Sequence, residues 1–184
     1  MQQGPRPNRE SNREPNRGNP RPPSRDGGRK DTGWKPVPRS KDGKPMPPRQ
    51  LSRDEEGAIN ELLARFMELC SQAGAATDGE TEDTPQLADA VARWWHALPP
   101  RKRPAAYDIL MPIAAAIGDW LQDAARLEWR MVEIDGATAA CLTGAGGIRL
   151  DVFDDISATF EDSPDGCAEE YIQLVWPKVE HLKR

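Results

Sequence analysis

The sequence predicts an α+β fold: N-terminal helices packed on a short three-stranded antiparallel sheet and closed by a C-terminal helix, behind a disordered basic arm. Three observations predict it. Apolar residues recur at helical spacing in three stretches between Ile59 and Ala124. From Glu128 onward the texture changes to β formers, with the hairpin signal Asp135-Gly136 inside it. Composition also breaks near residue 50. Residues 1–50 carry 13 Lys+Arg against 5 Asp+Glu, a net of +8, while residues 51–184 carry 12 against 25, a net of −13. The formal −5 of the whole chain therefore hides a basic arm joined to an acidic body.

The arm, residues 1–50, has almost nothing to bury. Its apolar side chains are Met1, Trp34, Val37 and Met46, against 11 Pro and 6 Gly. Such a segment cannot offset the entropy of ordering, and its prolines deny it a helix. Arginine recurs every fourth residue at Arg9, Arg13, Arg17, Arg21, Arg25 and Arg29. In an extended chain these point in successive directions, which suits a polyvalent contact with a polyanion. The guanidinium fork is made for phosphate. Trp34, flanked by Gly33 and the pair Pro36 and Pro38, reads as a short docking element for a groove or for the chain's own body.

The body, residues 51–184, is long enough for one domain with its own core. Its first helix is announced by the capping box Ser52/Glu55. Ile59, Leu62, Leu63, Phe66, Cys70 and Ala73 then share one face, and Gly74 supplies the stop. The acidic loop Asp78–Asp83 lacks the oxygen spacing of a calcium loop and reads as solvated.

Thr84-Pro85 reads as an N-cap followed by proline at the first helical position. Leu87, Val91, Trp94, Trp95 and Leu98 give the second stripe, which Pro99-Pro100 ends. The basic cluster Arg101-Lys102-Arg103 reads as a solvated inter-helix turn. A third helix from about Asp108 to Arg126 places Pro112 in its first turn. It buries Ile113, Ala116, Ile117, Trp120, Leu121 and Ala124. Gly118 in that helix implies a close approach by a neighbouring element.

The sheet follows. Glu128 to Ile134 and Thr138 to Leu142 pair across Asp135-Gly136, and Gly144–Gly147 is a flexible turn. Ile148, Leu150 and Val152 alternate as a third strand, with Arg149 and Asp151 on its other face. Asp151, Asp154 and Asp155 then suit a helix N-cap and first turn, with a divalent-ion site as the alternative. After a loop at 163–166, Ala168, Ile172, Val175, Val179 and Leu182 mark the last helix, which Pro177 is expected to kink or break.

No catalytic constellation stands out. His96 and His181 sit at expected helix ends, where a cation complements the dipole. Cys70, Cys141 and Cys167 contain no Cys-x-x-Cys, which argues for a reducing compartment and no metal framework. No apolar run is long enough to span a membrane, and the first residues lack a signal-peptide pattern.

The stretch from Trp95 to Phe160 resembles a small actinobacterial α+β domain family of unknown function. The likeness rests on Trp95-His96 at a helix end, on Ile117-Gly118-Asp119-Trp120-Leu121, and on Trp129 opening a strand. The Asp135-Gly136 hairpin and the strand leading to Phe153 complete it. The resemblance implies helices preceding a short antiparallel sheet and implies no substrate.

These readings converge on a cytoplasmic, non-catalytic interaction protein without a cofactor. The basic arm would tether the acidic body to nucleic acid, a ribonucleoprotein or an acidic protein. Two alternatives stand beside this: an acidic regulatory or decoy module that binds a basic partner through the body, and a small metal-dependent hydrolase built on Asp151–Asp155.

Overall fold

A computed structural model describes residues 47–75, 84–134, 136–160, 163 and 165–183. The expected disorder of residues 1–46 and the acidic loop at 78–83 fall outside these residues.

Helix α1, Arg53–Gln72, begins where the capping box predicts. The Glu55 amide donates to Ser52 Oγ at 3.4 Å, and the Ser52 amide donates to Glu55 Oε2 at 2.8 Å. Ile59, Phe66, Leu69 and Cys70 are its buried residues. Gly74, at φ 70°, turns the chain away. Helix α2, Thr84–Ala97, buries Leu87, Val91 and Trp95. A 3-10 turn at Pro100–Lys102 links it to α3, Ala106–Ala125.

Helix α3 is the centre of the molecule and packs against α1, α2, α4 (Val152–Phe160) and α5 (Cys167–Val179). Its start differs from expectation. The helix opens at Ala106, so Pro112 lies in its second turn and leaves the Asp108 carbonyl without its usual i+4 donor. The helix survives because eleven of its residues are buried, and packing outweighs one lost bond. It ends at Arg126, which takes the left-handed conformation at φ 53° and ψ 43°.

The sheet has four antiparallel strands in the order β1-β2-β3-β4: Arg49–Gln50, Glu128–Ile134, Ala137–Thr143 and Arg149–Leu150. The hairpin register pairs Ile134 with Ala137 and Trp129 with Leu142. The fourth strand is a correction to the three expected. Arg49 and Gln50, read as the end of the arm, pair with Met131 and Arg130 and form an edge strand. The Arg49 guanidinium holds it there by a two-armed contact with Glu55, at 2.6 and 2.7 Å.

Val152 was expected to extend the last strand and instead opens α4. Asp151 causes this, because its Oδ1 accepts the Asp154 amide at 3.3 Å and caps the helix. The Gly-rich turn is a 3-10 turn at Ala145–Gly147, with Gly146 and Gly147 at φ 72° and 77°. Pro177 does not break α5. The helix runs on to Val179 and tightens into a 3-10 turn at Glu180–Lys183.

Candidate functional site

Asp89 is the one buried charged side chain among the described residues, at 4% exposure. It lies on α2, within the apolar arc of Leu87, Ala88, Val91 and Ala92. Its two oxygens accept the backbone amides of Ala168 at 2.8 Å and Glu169 at 3.2 Å. Gly166, at the N-cap of α5, has no side chain to do this. Asp89 therefore caps α5 from a different helix. Burial pushes its carboxyl upward, and the two amide bonds act against that rise. This role is structural, and the sequence reading missed it. The signal was an acid inside a helix's apolar face.

The acidic cluster read from sequence sits at the start of α4. Asp151 is half-buried, and Asp154 and Asp155 are exposed. Partial desolvation pushes the carboxyls of Asp151 and Asp155 upward. Tyr171 of α5 is buried beside them. Its hydroxyl makes no hydrogen bond of ordinary length, yet it is near enough to Asp155 for each to perturb the other. Burial, with the carboxylates adding to it, raises the phenol above its ordinary range. Cys141 of β3 belongs to the same neighbourhood, and burial pushes its thiol up to about 12. Asp151 has the capping role. Among the described residues, no three His, Cys, Asp or Glu side chains cluster closely enough to hold a metal ion.

His96 and Arg103 serve packing. His96 Nε2 donates to the Phe160 carbonyl at 3.0 Å, and its ring contacts Trp95 and Phe160. His181 lies exposed in the 3-10 turn after α5. Arg103 is half-buried. It donates to the carbonyls of Leu98 at 2.8 Å and His96 at 2.5 Å, and it lies 4.9 Å over the Trp95 ring. One member of the basic cluster thus caps the end of α2. Arg101 and Lys102 are exposed.

A groove of about 540 Å³ opens between α1, α3 and the start of β2. Buried Ile59 and Leu127, with half-buried Leu63 and Trp129, supply its apolar lining. Glu56, Asn60, Asp119, Gln122 and Glu128 supply polar groups. Arg130 also lines it and is paired with Glu128. Asp119 is half-buried, and its carboxyl is pushed up by desolvation and by the neighbouring charge of Asp123. The sequence reading did not find this groove, because its lining comes from two stretches far apart in the chain, residues 50–63 and 119–130.

Arg9, Arg13, Arg17, Arg21, Arg25, Arg29 and Trp34, the residues predicted to contact a partner, lie outside the described residues. No helix among the described residues is long and apolar enough to cross a membrane. No family model matches the chain, and no curated protein matches it. The chain is similar to a solved structure of a protein from Bacteroides thetaiotaomicron VPI-5482, determined at 1.50 Å resolution. It shares 15% sequence identity at a TM-score of 0.52, over 74% of this chain and 50% of that one. The chain thus matches half the length of that protein, and the likeness is one of fold.

Proposed function

We propose that this is a non-catalytic interaction protein whose basic N-terminal segment tethers an acidic body to a polyanionic partner, a nucleic acid or ribonucleoprotein. The observation that carries the reading is the partition of charge, +8 over residues 1–50 against −13 over residues 51–184. The chemistry of the body is in keeping with it. Buried Cys141 and Cys167 have thiols pushed up to about 12, far from a nucleophile's range, and His96 is committed to a backbone carbonyl. A cytoplasmic setting belongs to the same proposal and is supported by these two free, buried thiols.

The test is RNA titration into the full chain at two salt concentrations. Binding is expected to be indifferent to sequence. It should weaken about a thousandfold between roughly 50 and 200 mM salt if six to eight arginines engage. Replacing Arg9, Arg13, Arg17, Arg21, Arg25 and Arg29 by Gln should abolish it. Absence of binding at the lower salt, or undiminished binding by the Gln variant, overturns the reading.

A further inference from the structure

We infer that the groove between α1, α3 and β2 is a docking site for a lysine- or arginine-bearing segment of a basic protein partner. Two properties of the groove match such a side chain, which joins an apolar stem to a cationic head. Ile59, Leu63 and Leu127 provide apolar wall for the stem. Glu56 and Asp119 provide carboxylates for the head. Neither carboxylate has an ion-pair partner among the described residues; the groove's own cation, Arg130, is taken up by Glu128.

The groove is open to solvent and holds about 540 Å³. That volume exceeds what one basic side chain fills, so a short stretch of peptide is the fitting occupant. Glu56, Asp119 and Glu128 against Arg130 make the lining net negative, which disfavours an anion. Asp123 adjoins Asp119 and reinforces the negative field. The inference does not rest on the polyanion reading, since it concerns the acidic body and not the basic segment.

The probe is an acetylated nonapeptide of alternating arginine and glycine, titrated into the full chain by calorimetry at about 50 mM salt. The parent is expected to bind saturably. Glu56→Gln with Asp119→Asn should weaken binding by about tenfold or more. Glu169→Gln with Glu170→Gln, which removes the same charge from α5, should leave it within about twofold. The glutamine version of the peptide should not bind. All variants should keep the parent's melting temperature; if Asp119→Asn does not, Glu56→Gln alone decides.

No saturable binding by the parent up to about 1 mM peptide overturns the inference. Equal weakening by the α5 pair also overturns it, because the contact is then diffuse charge. Self-association that rises with protein concentration and is released by the peptide assigns the groove to a second copy of this chain instead. RNA binding in the same variants should be unchanged, so this inference and the polyanion reading fail separately.

Discussion

Gly118 of α3 and Trp129 of β2 are in direct contact: a Cβ added at Gly118 would lie 2.5 Å from Trp129 Cη2 and closer still to Cζ2. The helix can meet the strand at this point only because position 118 has no side chain. Trp129 in turn packs its ring at 5.6 Å from Phe153, carrying the contact on to α4.

Gly118→Ala is expected to destabilise the protein by about 1–3 kcal/mol, as overpacking does. Trp129→Ala should cost about 3 kcal/mol, near the lower end for large aromatics because the ring is half-buried. The two should not add. Once the ring is gone, Gly118→Ala should become neutral or gain up to about 1 kcal/mol from helix propensity. Urea melts of the double-mutant cycle check this, and additivity would show that the contact is not the cause.

Asp89→Ala should cost about 1–3 kcal/mol, because the buried amide of Ala168 and the part-buried amide of Glu169 lose their acceptor. Asp89→Asn, which keeps one acceptor oxygen, should fall between parent and Ala. Hydrogen exchange at Ala168 and Glu169 should accelerate in both variants ahead of the rest of the body. Unchanged protection there would rule out the capping role.

Glu55 gives a pH signature. The Arg49 guanidinium holds its carboxyl down at about 2, and hydrogen bonds from Ser52 assist. Because the folded value lies below the unfolded one, the stabilisation is complete above the unfolded range, about 4.3. It is lost as pH falls from there toward about 2. Arg49 is partly exposed, so solvent screening keeps the ion pair itself to about 1 kcal/mol or less. Glu55→Gln should therefore flatten the acid limb of the stability curve between roughly pH 5 and 2. A slope equal to the parent's would exclude Glu55 as its source.

Arg126 closes α3 with a left-handed backbone, a conformation that costs a residue with a Cβ about 1 kcal/mol. Arg126→Gly should relieve this and raise stability by up to about 1 kcal/mol in a denaturant melt. A loss instead would mean that the Arg126 side chain contributes more than its backbone costs.

Much of the fold was legible because its signals are local. Ser52 and Glu55 form the capping box from positions three apart, and Asp135-Gly136 separates two runs of β formers. Gly118 announced a close approach, though only the fold shows that Trp129 makes it. What escaped depends on distant partners. Arg49 and Gln50 are two polar residues with no alternation to read, and they become a strand only beside Met131 and Arg130. Asp89 was not singled out, since its partners lie about eighty residues on. Pro112 was placed in a first turn by propensity, and burial of α3 overrode that preference. The groove unites Ile59, Asp119 and Leu127, which no spacing rule connects.

The reach of Asp89 to Ala168, 79 residues along the chain, sets an order on how this body is made. At ordinary synthesis rates the ribosome takes about 4–16 s to add that length. Throughout that interval the Asp89 carboxylate has no helix to cap, and water must keep it solvated. Closing α2 into the core early would strand a bare charge there. A chain cut short of Ala168 leaves the Asp89 carboxylate without its amides and is expected to keep α2 more open to proteolysis than in the full chain.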